Sequence, residues 1–218
     1  MKIKARYSIN LHKGLTFLVV LGLMIIYQNF SNAAWVYLAL HGSYGIMWLL
    51  KDWIYPDKSW DEEIPIFLGI TTFFIVGLYW VAPFILISQG KECTPPLIAA
   101  AIATNLFGIF LHYVADAQKY YTLKYHSGLI TEGLFAKSRN PNYLGEILTY
   151  TSFAMLSQHW LPFLILGFFI SLLFIPRMLK KDQSLARYNG FEEYQNQSGL
   201  ILPIFWKVST KNSTINQS

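Results

Sequence analysis

Four long stretches without a charged residue constrain this chain more than any other feature of its sequence. No Asp, Glu, Lys or Arg occurs in residues 14–50, 64–90, 93–115 or 147–176. A helix that crosses a membrane needs about 20 mainly apolar residues, so the two middle stretches fit one helix each and the two outer stretches fit a pair. The sequence therefore predicts an all-α integral membrane protein with six transmembrane helices, near residues 14–31, 33–50, 65–88, 96–115, 142–157 and 160–177.

The charges between these stretches predict the orientation in the membrane. If the N-terminus is cytoplasmic, the six helices place every Lys and Arg on the cytoplasmic side except Lys91. Basic loops are retained on that side of a membrane. A single helix over 147–176 would move six basic residues outside, so we expect a helical hairpin that turns at residues 157–160. Both termini are then cytoplasmic, and a bacterial inner membrane and the endoplasmic reticulum fit this topology equally.

The composition narrows the classes of partner and cofactor that the chain can bind. The chain has a net charge of +5, but no basic run is interleaved with aromatic residues, so we expect the basic loops to face anionic lipid and expect no nucleic acid. Cys93 is the only cysteine, which excludes an internal disulfide and a cysteine-based metal site, and we predict no metal. We expect one polytopic domain over residues 1–206, followed by a disordered polar tail over residues 207–218.

A polar motif, Ser-Arg-Asn-Pro-Asn-Tyr-Leu-Gly-Glu, occupies residues 138–146 at the start of the fifth predicted helix. Pro141 suits a first helical turn, and Asn142 and Glu146, one turn apart, share a helix face. Charge at this depth is costly and usually has a task. A helix cap with a first-turn acid and a snorkelling Arg139 would explain the same residues without a function.

A second polar group closes the fourth predicted helix, where His112 and Asp116 share a face at i,i+4. Ordinary anchoring at a membrane interface explains basic and aromatic residues such as Lys180 and Lys181. It explains Asp116 and Glu146 poorly, because anchors are rarely acidic.

With these motifs, residues 105–206 resemble the C-terminal half of the membrane-embedded steroid and sterol reductases, which include steroid 5-alpha-reductases, sterol C14-reductases and bacterial relatives. Several ordered blocks at compatible spacing are more specific than any one alone. The blocks that carry the resemblance are Asp116-Ala117-Gln118-Lys119, Gly133-Leu134-Phe135, Arg139-Asn140-Pro141-Asn142-Tyr143-Leu144-Gly145-Glu146, Arg177 with Lys181-Asp182, Tyr194 and Leu202-Pro203.

The resemblance implies an NADPH-dependent reductase of a carbon–carbon double bond in a hydrophobic steroid, sterol or enone lipid. It implies substrate-side helices in residues 1–95 and a cofactor pocket at the cytoplasmic side of residues 96–206. No Gly-x-Gly-x-x-Gly follows a strand, so we expect a pocket among helices and not a Rossmann domain. The cofactor-binding residues that it implies are His112, Asp116, Lys119, Arg139, Asn142, Tyr143, Gly145, Glu146, Arg177, Asp182 and Tyr194.

Two other functions stay open. The isoprenylcysteine and phospholipid methyltransferases share this half and use S-adenosylmethionine, so a methyltransferase of a lipid or prenylated cysteine is the first alternative. Glu146 and the Gln118-Lys119 pair favour the reductases, whereas Asn140 departs from the His of many relatives of both kinds. The second alternative is a non-catalytic membrane protein that retains the fold.

The second predicted helix contains a segment, residues 40–45, that is loosely similar to the His-Tyr segment of steroid 5-alpha-reductases. In those enzymes a tyrosine donates to the enone oxygen. Gly42 follows His41 where that tyrosine would fall, and Tyr44 is the nearest substitute. The resemblance therefore implies Tyr44 as the proton donor with His41 beside it, while simple packing of both residues between helices is the alternative.

Overall fold

A computed structural model describes residues 1–205 and shows a helical bundle with one short ribbon of strands. The predicted tail 207–218 lies outside the described residues. Strands β1 (Lys2–Lys4) and β2 (Glu63–Pro65) pair antiparallel, with Ile3 opposite Ile64. The helices are α1 (Ala5–Ile26), α2 (Asn32–Ile54), α3 (Ile66–Gly77), α4 (Val81–Ser88), α5 (Pro95–Tyr125), α6 (Pro141–Ser157), α7 (Trp160–Phe169), α8 (Ile175–Leu185) and α9 (Phe191–Gln197).

Five helical segments are long and apolar enough to cross a membrane, as expected of a multi-pass all-α membrane protein. A 3-10 turn, Leu78–Trp80, joins α3 and α4, and a π-helical turn, Ile170–Phe174, joins α7 and α8. The five segments are Ala5–Ile26, Asn32–Ile54, Ile66–Ser88, Pro95–Tyr125 and Trp160–Leu185. The fifth expected crossing, residues 142–157, coincides with α6, a helix of 17 residues. That α6 also crosses the membrane stays a prediction.

Two helices are longer than the uncharged stretches predict. Helix α1 begins at Ala5, nine residues before the expected start at 14, and α5 continues to Tyr125, ten residues past the expected end at 115. Charged residues interrupt an apolar stretch without interrupting a helix, because Lys, Gln and Leu are good helix formers. Residues 116–125 therefore lie on α5 and not beyond its end, where the predicted span 96–115 would leave them.

The expected hairpin between α6 and α7 is present. Helix α6 ends at Ser157, and Gln158 takes a left-handed conformation with a φ of 48°. The backbone N–H of Leu161 then donates to Nδ1 of His159, which caps the start of α7. The two helices thus return through the turn at residues 157–160.

The crossing of α5 and α6 determines where the polar motif lies. A Cβ atom on Gly145 would lie 2.5 Å from the carbonyl oxygen of Gly108, and a Cβ atom on Gly108 would lie 2.6 Å from Oγ1 of Thr149. Such contacts are possible only for glycine, and small residues allow helix backbones to approach closely in membranes. The start of α6 is therefore held against the part of α5 that contains His112 and Asp116.

Candidate functional site

Asp116 joins three helices at one end of the bundle. Its Oδ2 lies 2.7 Å from Nζ of Lys51 on α2 and 3.5 Å from Nε2 of His112. Its Oδ1 accepts a hydrogen bond of 3.0 Å from Nδ2 of Asn142 on α6. The structure thus brings together His112, Asp116 and Asn142, three of the residues implied by the sequence. It adds Lys51 as their counter-ion, which the sequence analysis did not assign, although this lysine ends the uncharged stretch 14–50.

A crevice of about 570 Å³ lies beside this ion pair. Ligand pockets commonly have volumes of about 300–1,000 Å³. Four lysines and two carboxylates line it, so its formal charge is positive, and these charged residues are Lys51, Lys58, Lys119, Lys124, Asp57 and Asp116. Such a crevice suits a ligand that carries several negative charges.

Tyr55 and Asp57, in the loop between α2 and α3, line one wall of the crevice and have protonation states set by their surroundings. Nζ of Lys119 lies 3.1 Å from Oδ2 of Asp57. Burial raises the pKa of Asp57, but Lys119 and the hydrogen bonds from Ser59 outweigh it and leave the pKa below its ordinary value of 3.8. Burial, with the charge of Asp116, raises the pKa of Tyr55 to about 12. At neutral pH Asp57 is therefore an anion and Tyr55 a neutral phenol.

Deeper in the bundle, the ammonium of Lys13 on α1 is enclosed by aromatic rings. Its Nζ lies 4.4 Å from the ring centroid of Tyr44 and 4.9 Å from those of Trp48 and Tyr150. It also donates a hydrogen bond to the hydroxyl of Tyr150. Lys13 is only 3% exposed. No sequence motif identified Lys13 or Tyr150. The signal available for Lys13 was a polar face at helical spacing, with Ser8, His12 and Thr16 beside it on an apolar helix.

Tyr44 and His41 lie on the buried face of α2, next to this ammonium. His41 stacks on Phe153 at 4.1 Å, and its Nδ1 lies 3.0 Å from the hydroxyl of Tyr37. Within residues 1–205, the hydroxyl of Tyr44 and Nε2 of His41 have no hydrogen-bond partner. An unsatisfied buried polar group costs about 1–3 kcal/mol, so these two atoms are available to a polar group of a ligand or to water.

Glu146 is half-buried on α6, one helical turn before Tyr150. The charge of Glu146 acts through space on Lys13, Tyr44 and Tyr150. Among the described residues it forms neither an ion pair nor a side-chain hydrogen bond. The expectation that Asn142 and Glu146 share a face is met, and the face continues from the Asp116 ion pair toward the phenols.

Arg139, Asp182 and Tyr194 join the C-terminal helices to the start of α6. Nε of Arg139 donates to Oδ2 of Asp182 at 2.9 Å, and its NH1 donates to the carbonyl oxygens of Gln195, at 3.2 Å, and Ser198. The hydroxyl of Tyr194 donates to the carbonyl oxygen of Phe135 at 2.8 Å. Because Arg139 is only 7% exposed and makes these internal bonds, its placement suits a structural role better than the cofactor contact that the resemblance implies.

The remaining predicted residues are not part of the Asp116 ion pair, and the side chains of Tyr143 and Arg177 are neighbours. Tyr143 packs against Phe174, with ring centroids 5.0 Å apart, and Gly145 lies at the crossing of α5 and α6. Arg177 is exposed, and its guanidinium lies 4.5 Å from the ring centroid of Trp60. Lys119, as described, lines the crevice.

The sequence pattern of one protein family matches residues 17–198 of this chain. That match covers well over half of the sequence. The chain belongs to the family described as "Protein of unknown function (DUF1295)". The DUF1295 match begins at Phe17 and therefore includes His41, Tyr44, the Asp116 ion pair and the motif at 138–146, while Lys13 precedes it.

A curated relative covers much less of the chain. "Uncharacterized protein C7D4.09c" of Schizosaccharomyces pombe (strain 972) is 46% identical over 39 residues. The match takes in 18% of this chain and 14% of the yeast protein. The chain therefore spans about one seventh of that relative's length, and the two proteins are similar over one short segment.

Proposed function

We propose that this protein is an NADPH-dependent reductase of a carbon–carbon double bond conjugated to a carbonyl group in a hydrophobic lipid, such as a steroid or another enone. The observation that carries the proposal is the adjacency of two sites. A lysine-lined crevice suited to phosphates meets, through Asp116 and His112, a buried cluster of phenols suited to a carbonyl oxygen. Tyr44 and His112 link the two, with ring centroids 6.2 Å apart.

The crevice fits the charge of the cofactor. Lys51, Lys58, Lys119 and Lys124 would hold its phosphates, because ammonium groups form charge-assisted hydrogen bonds with phosphate oxygens. Oδ1 of Asn142 and Nδ1 of His112 are buried and have no partner in residues 1–205. These two atoms would bond to the sugar and amide groups of a nucleotide.

The inner cluster fits the chemistry of the substrate. NADPH, when bound, supplies a hydride to the β-carbon of the enone. The electron pair of the double bond then shifts toward the carbonyl oxygen, where the hydroxyl of Tyr44 hydrogen-bonds to the developing enolate. Tyr44 would donate its proton to the enolate oxygen and give an enol. The enol becomes the saturated ketone when its α-carbon takes a proton from solvent and its oxygen returns the first proton to Tyr44. A positioned acid of this kind typically contributes about 10²–10⁴-fold to the rate.

Binding measurements separate this function from its alternatives. The full chain, purified in detergent, is titrated with NADPH and with S-adenosylmethionine in parallel. We expect saturable binding of NADPH and none of S-adenosylmethionine. Binding of S-adenosylmethionine alone would instead identify a methyltransferase, and binding of neither would leave a non-catalytic membrane protein.

Variants locate the cofactor. Replacing Lys119 and Lys124 together with Gln should weaken NADPH binding by about tenfold or more, because each removes a charge-assisted contact. Lys180→Gln, at an exposed position that is not part of the crevice, is the matched charge control. Glu146→Gln should also weaken binding while leaving the fold intact. Parental affinity in both the double variant and Glu146→Gln would place the cofactor elsewhere.

A further inference from the structure

Lys13 carries a positive charge in the interior of the bundle. Charged groups within a membrane protein are expensive and usually functional. No carboxylate among the described residues bonds to it, and Glu146 is the acidic residue whose charge acts on it. The rings of Tyr44 and Trp48 and the phenol oxygen of Tyr150 surround the ammonium, which is an arrangement that holds a cation without neutralising it.

The hydrogen bond from Lys13 determines the direction in which the Tyr150 hydroxyl can donate. Its hydroxyl oxygen accepts from the ammonium, so its own O–H points away from Lys13, and no acceptor for that hydrogen lies within residues 1–205. The Tyr150 ring is held by stacking on Tyr79, with centroids 3.5 Å apart. It lies edge-to-face with Tyr44 at 5.9 Å. Tyr150 is thus a rigid, unused donor next to the proposed proton donor.

We propose that Tyr150, polarised by Lys13, is a second hydrogen-bond donor to the carbonyl oxygen of the substrate, beside Tyr44. This inference rests on the proposed reductase function. Tyr150 would be a catalytic residue, and Lys13 a positioning residue that acts through it. The ammonium strengthens the donor because negative charge that develops on the substrate oxygen is shared along the bond to Tyr150. Low polarity around the pair makes this interaction stronger than it would be in water.

The hydrogen bonds at the carbonyl oxygen are measured directly with two enones, testosterone and the isoprenoid ketone pseudoionone. The infrared stretch of a ¹³C-labelled carbonyl falls in frequency as its oxygen accepts stronger hydrogen bonds, and it is recorded in the complex with NADP⁺. We expect a lowered frequency in the parent and a smaller shift in Tyr150→Phe and Lys13→Met. Tyr79→Phe, which removes a buried hydroxyl from the same stack, should keep the parental shift.

Kinetics provide a second readout. Loss of one such donor typically lowers kcat by about 10²–10³-fold, so Tyr150→Phe and Lys13→Met should each fall by that factor with little change in KM. Lys13→Arg, which keeps the charge, should recover part of the loss. If Lys13 only stabilised the fold, Lys13→Arg would not restore kcat while KM stayed unchanged. Parental affinity for NADPH shows that a variant is folded. If Tyr150→Phe does not fold, the result for Lys13→Met alone decides whether the second donor exists.

The outcomes separate two failures. If the parent reduces neither enone, the proposed function is wrong for this class of substrate and the second donor is wrong with it. If the parent reduces an enone, and Tyr150→Phe and Lys13→Met match Tyr79→Phe in carbonyl frequency and in kcat, only the second donor is wrong.

Discussion

Nζ of Lys51 and Oδ2 of Asp116 lie 2.7 Å apart and join the last turn of α2 to the C-terminal third of α5. Both side chains are less than one tenth exposed. The N-terminal helices therefore supply the counter-ion of an acid that belongs to the C-terminal half of the chain. The two halves expected from the sequence, residues 1–95 and 96–206, build this end of the bundle together.

Breaking this pair should be costly, while removing both partners should cost less. Truncating one partner of a buried ion pair leaves an uncompensated charge and destabilises a protein by about 3–5 kcal/mol. We expect that loss for Lys51→Met and for Asp116→Asn, measured by unfolding in detergent. The double variant should be less destabilised than the sum of the two single variants. Simple additivity would show that the two charges do not interact.

The crossing of α5 and α6 predicts a contrast between two glycines. Gly145→Ala should destabilise the protein by about 1–3 kcal/mol, because the added methyl group would press on the backbone of Gly108 and His112. A Cβ atom on Gly167, in α7, would meet nothing within 4 Å. Gly167→Ala should therefore be neutral or slightly stabilising, since Ala favours a helix. Equal melting temperatures for the two variants would contradict the close crossing.

The bonds of Arg139 predict that it controls the attachment of α8 and α9. A lysine at this position keeps the charge but lacks the planar fork that reaches Asp182, Gln195 and Ser198 together. We expect a protease specific for glutamate to cleave Arg139→Lys at Glu192 or Glu193 about tenfold faster than the parent, because opening of the segment costs about 1.4 kcal/mol less. Arg177→Lys, at an exposed position, is the matched control. Equal cleavage rates would exclude the structural role.

The spans and the polar motif could be predicted because they depend on neighbours in the sequence. Uncharged stretches mark apolar helices, and Pro141, Asn142 and Glu146 occupy one helix start. The pairing of β1 with β2 could not be predicted in the same way. Each strand has only three residues, and neither has a hydrophobic pattern that distinguishes it from a loop.

The inner cluster depends on contacts that no local pattern contains. Lys13 and Tyr150 are 137 residues apart in sequence. They meet because the long side chain of Lys13 reaches the Tyr150 hydroxyl on α6, although α1 itself packs mainly against α2, α3 and α4. Lys13 is adjacent to the first uncharged stretch, where a basic residue suggests an anchor at the membrane surface. The structure shows that the helix starts at Ala5, which places Lys13 two turns inside it.

The cytoplasmic location of the lysine crevice is a separate prediction that labelling can check. Cys93 is a poor probe because it is buried, with its Sγ 3.4 Å from the carbonyl oxygen of Leu156. In a Cys93→Ser background, single cysteines are placed at Glu92 and at Lys58, which are both exposed. An impermeant maleimide should label Glu92→Cys in intact cells and Lys58→Cys only after permeabilisation. The reverse pattern would invert the topology.

Tyr44→Phe tests the proton donor that the sequence nominated. The hydroxyl of Tyr44 is fully buried and, among the described residues, unpartnered, so removing it breaks no hydrogen bond of the protein itself. Stability should therefore change little, which distinguishes this variant from Tyr37→Phe, which loses the contact with His41. Turnover of an enone should fall by about 10²–10⁴-fold, the usual contribution of a general acid.

The affinity of Tyr44→Phe for NADPH should match that of the parent, because the proposed phosphate-binding lysines line the crevice and Tyr44 does not. A deuterium label shows which step has changed: the isotope effect from deuterated solvent should grow if proton donation has become slower, and that from deuterated NADPH should shrink. Full turnover in Tyr44→Phe would remove Tyr44 from the chemistry. His41, whose Nε2 is also buried without a partner in residues 1–205, would then be the next candidate for the acid.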